Sequence, residues 1–282
     1  MRLILGCGYL GLRVARAWRQ SGDRVVALTR SDENARQLRG EGIEPILGDV
    51  TRPDTLTALP SADTLLYAVG FDRAAGLSKR EVSVGGLRNV LERLAGRVGR
   101  FLFISSTSVY GQSAGEWVDE SSPCHPSSEN GRLALDAERV VSTFFTPEDH
   151  RACVLRLAGI YGPNRLLRRM ESLQAGEPIA GDPRAWLNLV HVEDAVRAVL
   201  ACEEHDRAGP LYLVCDDRPV PRQEYFTRLA ELVGAPPPVF SGGPGTRTAG
   251  LNKRCRNRRL REELRVELAY PTIETGLPHA VQ

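Results

Sequence analysis

The sequence predicts an α/β fold: a doubly wound parallel sheet with a smaller C-terminal lobe. Three observations point there. Short apolar, β-rich runs alternate with helical patterns through the first two thirds of the 282 residues, an alternation that calls for a parallel sheet covered by helices on both faces. A glycine-patterned turn follows the first run directly. After Gly162-Pro163 the alternation gives way to turn-rich sequence.

Taken in order, residues 3–5 form the first strand and lead through Gly6-Cys7-Gly8-Tyr9-Leu10-Gly11 into a helix toward Gln20. Runs at 24–29, 45–47, 65–69, 101–105, 153–157 and 211–214 supply further strands. Between them apolar residues recur at helical spacing, Leu87, Val90, Leu91 and Leu94 on one helix and Leu133, Ala137, Val140, Val141 and Phe144 on another. Core packing alone accounts for these stripes. A basic helical stretch at 165–175 follows, then a turn-rich piece at 176–184 and a helix opening near His191 and ending by Glu204. The C-terminal region carries Pro236-Pro237-Pro238 and Gly242-Gly243-Pro244-Gly245. The expected division is a dinucleotide-binding domain of residues 1–162, continued by 187–216, and a smaller substrate-binding lobe of 163–186 and 217–282.

Composition narrows the class. Apolar content of 42% and charged content of 26% are those of an ordinary soluble globule. A formal charge of +2 gives no reason to expect a nucleic-acid or acidic-membrane partner, which would need a clustered basic surface. The six cysteines, Cys7, Cys124, Cys153, Cys202, Cys215 and Cys255, contain no Cys-x-x-Cys pair and no neighbouring His at metal spacing, so reduced thiols and no metal site are expected. The apolar run before Cys7 is far shorter than the roughly 7–15 residues of a signal h-region. No stretch approaches the ~20 apolar residues of a membrane helix, and the expected location is the cytoplasm.

The glycine turn carries the first chemistry. After a strand and at the head of a helix, Gly6 permits the tight bend, Gly8 lets backbone approach a pyrophosphate, and Gly11 lets helix and strand pack closely, with the phosphates at the helix N-terminus. The second strand ends in Thr29-Arg30 where an acidic residue would accept the ribose 2′-hydroxyl of NAD. An Arg there pairs with the 2′-phosphate of NADP, so NADP is favoured and NAD stays open. Asp32 and Glu33 lie just beyond and offer the NAD-type contact, and a solvated loop position is the plain alternative for Arg30.

Further along, the phrases Gly48-Asp49-Val50, Ala68-Val69-Gly70, Ser105-Ser106-Thr107-Ser108-Val109-Tyr110-Gly111, Arg156-Leu157-Ala158-Gly159-Ile160-Tyr161-Gly162-Pro163 and Val190-His191-Val192-Glu193-Asp194 occur in that order. The set resembles the extended short-chain dehydrogenases/reductases of the NAD-dependent epimerase/dehydratase type, which have the Rossmann fold. The resemblance implies cofactor contacts at Gly6, Cys7, Gly8, Tyr9, Leu10, Gly11, Thr29, Arg30, Asp49, Val50, Ala68, Val69, Gly70, Ser105 and Leu157. Leu5 departs from the family's Gly-x-x-Gly-x-x-Gly. The phrases around Ser105–Ser106, Ser128 and His191 are most similar to a bacterial branch of atypical members, the YeeZ-like proteins. The resemblance also implies a homodimer through the helices near 87–94 and 133–144.

The family's active-site helix reads Tyr-Gly-x-x-Lys-x-x-x-Glu. Here Asn130-Gly131-Arg132-Leu133-Ala134-Leu135-Asp136-Ala137-Glu138 places Asn130 at the Tyr and Ala134 at the Lys. Lys79 and Lys253 are the only lysines, and neither is preceded four residues earlier by Tyr. Asn130 hydrogen-bonds but cannot shuttle a proton near neutral pH, and losing a placed proton donor costs a factor of roughly 10²–10⁴. The resemblance puts the family's substrate-holding serine at Ser106. Tyr110, Tyr161 and His191 are the residues to weigh as substitutes, with capping or packing at the following helix as the alternative for His191. Arg165, Arg168 and Arg169 offer contacts for an anionic substrate or form a solvated face. Two readings stand at this point: an NADP-dependent oxidoreductase or sugar-nucleotide epimerase/dehydratase-like enzyme with displaced proton transfer and an unknown small-molecule substrate, or a catalytically degenerate NADP(H) sensor.

Overall fold

All seven expected runs become strands of one sheet. The structure is a computed structural model and describes residues 1–72, 76–94, 96–146, 150–205, 208–241 and 251–282. The chain begins β1 (Arg2–Leu5), α1 (Gly11–Gln20), β2 (Val25–Thr29), α2 (Asp32–Gly40), β3 (Glu44–Leu47), β4 (Ala62–Tyr67), α3 (Gly86–Leu94) and β5 (Val98–Ser106). It continues β6 (Glu116–Val118), α4 (Glu129–Phe144), β7 (Ala152–Leu157), β8 (Gly159–Tyr161), α5 (Leu167–Gln174), β9 (Trp186–Leu187), β10 (Leu189–His191), α6 (Val192–Glu204) and β11 (Leu211–Val214). It closes with β12 (Val220–Pro221), α7 (Arg222–Leu232), β13 (Lys253–Cys255), α8 (Arg258–Glu262) and α9 (Ile273–Ala280).

The seven-stranded parallel sheet has the order β11-β7-β5-β4-β1-β2-β3. The chain leaves β1 in one direction through β2 and β3, then returns to lay β4 on the other side of β1. Strand order therefore reverses between β1 and β4, where open α/β sheets leave a crevice beyond the strand ends. Leu5 at the end of β1 stands level with Leu28 on one side and Tyr67 on the other.

Two compact units divide the chain. The first comprises residues 1–106, 132–156 and 199–212 and holds nearly all of the sheet. Its core joins Leu3, Leu5, Val26, Leu65 and Phe101 from the strands to Leu87, Val90, Leu91 and Leu94 of α3 and Ala137, Val140 and Val141 of α4. Most of both helical stripes read from the sequence is thus buried in the unit's own core, with Phe144 partly buried against it, and dimerisation rests on the resemblance alone. The second unit comprises 107–131, 157–198 and 213–282. Its core gathers Tyr161, Leu189, Val220, Tyr225, Leu229, Ile273 and Leu277, and its strands form three short pairs, β8 with β10, β9 with β12 and β6 with β13.

These boundaries differ from those expected along the sequence. Residues 107–131 group with the C-terminal part because β6 pairs in parallel with β13, Trp117 standing level with Arg254. Nothing local in a three-residue strand announces a partner so far along the chain. The Gly242-Gly243-Pro244-Gly245 turn lies outside the described residues. Among those residues no helix is long and apolar enough to cross a membrane.

One buried ion pair ties β5, α4 and β7 together inside the first unit. Glu138 of α4 accepts from Arg156 of β7, through Nε at 3.0 Å and a terminal nitrogen at 2.6 Å, and from the hydroxyl of Ser105. Their side chains are only 10% and 7% exposed. Removing the carboxylate strands a buried guanidinium, so Glu138→Ala should lower the unfolding free energy by about 3–5 kcal/mol in urea titrations, with Glu138→Gln losing less. Equal stability of Glu138→Ala and the unaltered chain would refute the role given to the pair.

Candidate functional site

The turn between β1 and α1 is fixed by close approach. Gly6 has φ of +94°, and a Cβ there would overlap the Ala68 carbonyl and come within 2.5 Å of the Val69 nitrogen. A Cβ at Gly11 would overlap the Gly6 carbonyl oxygen. Gly8 differs, because beyond its chain neighbours its Cβ position has no atom of the described residues within 4 Å. The first and third glycines thus lock the turn against β4, while the second presents bare backbone to open space. Helix α1 has no side chain capping its N-terminus and no acidic residue in its first turn, so its positive end is left for an anion. Among neighbouring side chains, Tyr9 and Leu10 complete the turn, and Arg13 lies 4.2 Å from the centre of the Tyr9 ring and donates to the Tyr9 carbonyl. Burial pushes the Cys7 thiol up to about 12, with Glu41 adding to the shift, which makes Cys7 a neutral filler.

The ends of the flanking strands bring the other expected contacts to the same crevice edge. Thr29 is buried at the end of β2, and Arg30 pairs with Asp72 at 2.9 Å, both side chains about half exposed. An exposed pair of this kind contributes little by itself, so a better anion can displace Asp72. Asp32 and Glu33 stand in the first turn of α2, where they complement its dipole. Asp49 closes a tight local turn by accepting from both the backbone and the hydroxyl of Thr51 at 2.8 Å. Val50 is buried, and its carbonyl receives the Asn89 amide. Ala68 donates its backbone N–H to Leu5, and Gly70 beyond it opens to space. Tyr67, which the sequence did not single out, buries its hydroxyl beside Gly86 without a partner.

Ser105 and Ser106 end β5 and point to opposite faces, as successive strand residues do. Ser105 commits its hydroxyl to Glu138, which leaves its backbone for a cofactor. Ser106, half-buried, faces the other way. Leu157 is buried and belongs to the second unit.

Asn130 and His191 also lie in the second unit. Asn130 is exposed in the first turn of α4, and its placement is set by Gly131, whose N–H donates to Ser128 and whose Cβ position is filled by the Ser108 carbonyl. His191 is 0% exposed. Its Nδ1 accepts the Glu193 N–H at 3.2 Å and its Nε2 lies 3.1 Å from His279 Nδ1, with the Tyr270 and Tyr161 rings packed around it. The imidazole therefore caps α6 and packs, closed off from solvent. Asp194 pairs with Arg197 one turn along α6 at 3.8 Å, and it also accepts from the backbone nitrogens of Ala269 and Tyr270 at 2.6 and 2.9 Å. Tyr110 is fully buried and donates to the Asp119 carbonyl, and Tyr161 is buried with burial raising its phenol far above the ordinary value. Lys253 is likewise buried and donates to the Tyr110 carbonyl, so it stands in for no missing lysine at α4.

The sequence of residues 3–215 matches the model of the NAD dependent epimerase/dehydratase family. The chain belongs to that family. Within the epimerase/dehydratase family it is an atypical extended short-chain dehydrogenase/reductase, with Asn130 and Ala134 at the positions of the usual pair. Protein YeeZ of Escherichia coli K12 is 30% identical over 277 residues, 95% of either chain. Short-chain dehydrogenase/reductase family 42E member 1 of Homo sapiens is 31% identical over 261 residues, 81% of this chain and 66% of the human protein. The fold is shared with dTDP-glucose 4,6-dehydratase from Bacillus anthracis str. Ames, solved with NAD, at a TM-score of 0.83 and 17% identity, covering 100% of this chain and 96% of that one.

Asp216, after β11, is the least compensated group of the second unit: its carboxylate is buried and neither oxygen has a hydrogen-bond partner among the described residues. Burial first, then Asp217, push it well above the ordinary carboxylate range. Because the folded value is raised, the protonated form favours the fold. That contribution is complete below the ordinary range and is lost as pH rises through the raised value. Asp216→Asn keeps the shape without the titration, so the variant's stability should gain on the unaltered chain as pH rises. Chemical denaturation across pH decides it, and a pH-independent difference would contradict the assignment.

Proposed function

We propose that the chain is an NADP(H)-binding oxidoreductase, or an epimerase/dehydratase-like enzyme, whose proton transfer does not use a Tyr and Lys on α4. The observation that carries the cofactor part is the open position at Gly8, held between the locked Gly6 and Gly11 at the point where strand order reverses. The residues fit a dinucleotide. Backbone of Gly8, Tyr9 and Leu10 at the uncapped α1 terminus suits the diphosphate, Asp49 and Val50 the adenine side, and Ala68 to Gly70 the path along β4. A nicotinamide held there supplies hydride transfer.

NADP is the preferred form, because Arg30 follows β2 with a guanidinium whose one ion pair among the described residues is with the half-exposed Asp72. The chain's own contribution to chemistry is then positioning: Ser106 offers a hydroxyl to a substrate oxygen, and Ser105, Glu138 and Arg156 fix the strand that carries it. Asn130 is exposed and offers an amide for hydrogen bonding, and water supplies the proton.

A second reading, a cofactor-occupied sensor, is favoured by one finding. Tyr110, Tyr161 and His191, the side chains able to replace the lost pair, are all buried and engaged in packing or capping. Hydride exchange with any carbonyl or sugar-nucleotide substrate, weakened by Ser106→Ala, distinguishes the enzyme from the sensor.

Calorimetric titration tests the cofactor reading. Gly8→Val should abolish binding of NADP and NAD alike. Arg30→Ala should weaken NADP roughly ten- to hundredfold, as expected for loss of a charge-assisted bond of about 1.5–3 kcal/mol, and leave NAD nearly unchanged. Equal loss for both dinucleotides would remove the preference for the 2′-phosphate.

A further inference from the structure

Two guanidinium groups of the second unit approach one aromatic ring. Arg169 on α5 and Arg222 at the start of α7 stand 5.5 and 5.6 Å from the centre of the Phe226 ring. Arg169 donates to the Tyr225 hydroxyl at 2.8 Å and lies 5.4 Å from the centre of that ring. Arg222 donates to the Ala180 carbonyl at 2.8 Å, while its Nε–H is buried with no partner among the described residues. Neither group forms an ion pair among the described residues. The nearest carboxylate influence is Asp182, which is occupied by the backbone and side chain of Arg184. Burial first, and then the charge of Arg169, hold the Arg222 guanidinium below its ordinary value.

Like charges gathered on an apolar ring with an unmet buried donor are an arrangement that an oxyanion completes. An oxyanion supplies acceptors in the plane of the fork and cancels the repulsion at once. Of the three arginines that the sequence offers on the α5 stretch, Arg169 is the one that the fold brings to a second guanidinium, and its exposure keeps the pair open to a solute.

We propose that Arg169 and Arg222, over Phe226, form a binding site for a small oxyanion, the phosphate or carboxylate group of a ligand. The site consists of second-unit residues only, and it goes beyond the cofactor reading without depending on it.

The test is calorimetric and thermal titration of the full chain with inorganic phosphate and with citrate, each against sodium chloride at matched ionic strength. Saturable binding with a rise in unfolding temperature is expected. It should weaken at least tenfold in Arg169→Gln and in Arg222→Gln, and stay unchanged in Arg228→Gln, whose guanidinium pairs with Glu231. Stronger binding of phosphate marks a phosphate-bearing ligand, and stronger binding of citrate a carboxylate-bearing one. Should Arg222→Gln fail to fold, the exposed Arg169→Gln reads the same site. A response no larger than that of chloride overturns the proposal. So does a response that Gly8→Val removes and the double variant Arg169→Gln/Arg222→Gln retains, since the anion then belongs to the turn after β1; persistence in Gly8→Val with loss in the double variant supports the proposal even where dinucleotide binding fails.

Discussion

The approach of the first turn to β4 is the constraint on which the rest depends. With Gly6 at φ +94° and its missing side chain replaced by the Ala68 backbone, the turn has one conformation that fits, and Gly11 brings the start of α1 over it with no spare volume. A side chain at either glycine has no solvent to rotate into, only backbone that belongs to the sheet. Gly8, two residues after Gly6 and three before Gly11, meets no such neighbour among the described residues. The same three glycines therefore serve opposite ends, two as packing and one as opening, and the difference is visible only when the surroundings of each are compared.

The end of β5 is held by a buried ion pair although the Tyr and Lys of the family's helix are replaced. Burying an ion pair is weak evidence for stability, since well-packed apolar residues of equal volume often do as well. What Glu138 and Arg156 contribute is direction. They draw the Ser105 hydroxyl into the first unit's core, and strand alternation then turns Ser106 the other way. The sequence loses the Tyr and Lys at Asn130 and Ala134 but keeps the glutamate four residues after Ala134. That glutamate is held by the buried Arg156 and Ser105, so its place on the helix is a structural one.

The sheet was legible in the sequence because its strands are short apolar runs separated by helices, a signal that each segment carries within itself. The cofactor turn was legible for the same reason, its glycine spacing being local. The second unit was not. Its pairings join β6 to β13 and β9 to β12, strands of two or three residues with no periodicity to read. Asp194 illustrates the limit: a carboxylate in the first turn of a helix normally serves that helix, and here it also holds the backbone of Ala269 and Tyr270. His191 was readable as chemically interesting because imidazole titrates near neutrality, yet its role was decided by His279 and Tyr270, far away in sequence. Asp216 gave no local sign, for a DD dipeptide after a strand usually lies in solvent.

Burial separates the candidate groups into two kinds. His191, Tyr110, Tyr161 and Lys253 each carry chemistry in principle, and each is closed in by neighbours, so their polar atoms answer to capping, packing and backbone carbonyls. Arg30, Arg169 and Asn130 are exposed, and what they can bind is set by charge and hydrogen-bonding capacity rather than by proton transfer. An arginine does not release its proton and an asparagine has none to relay. Among these residues the exposed ones offer fixed charge and hydrogen bonds, while the titratable ones serve packing, capping and backbone carbonyls.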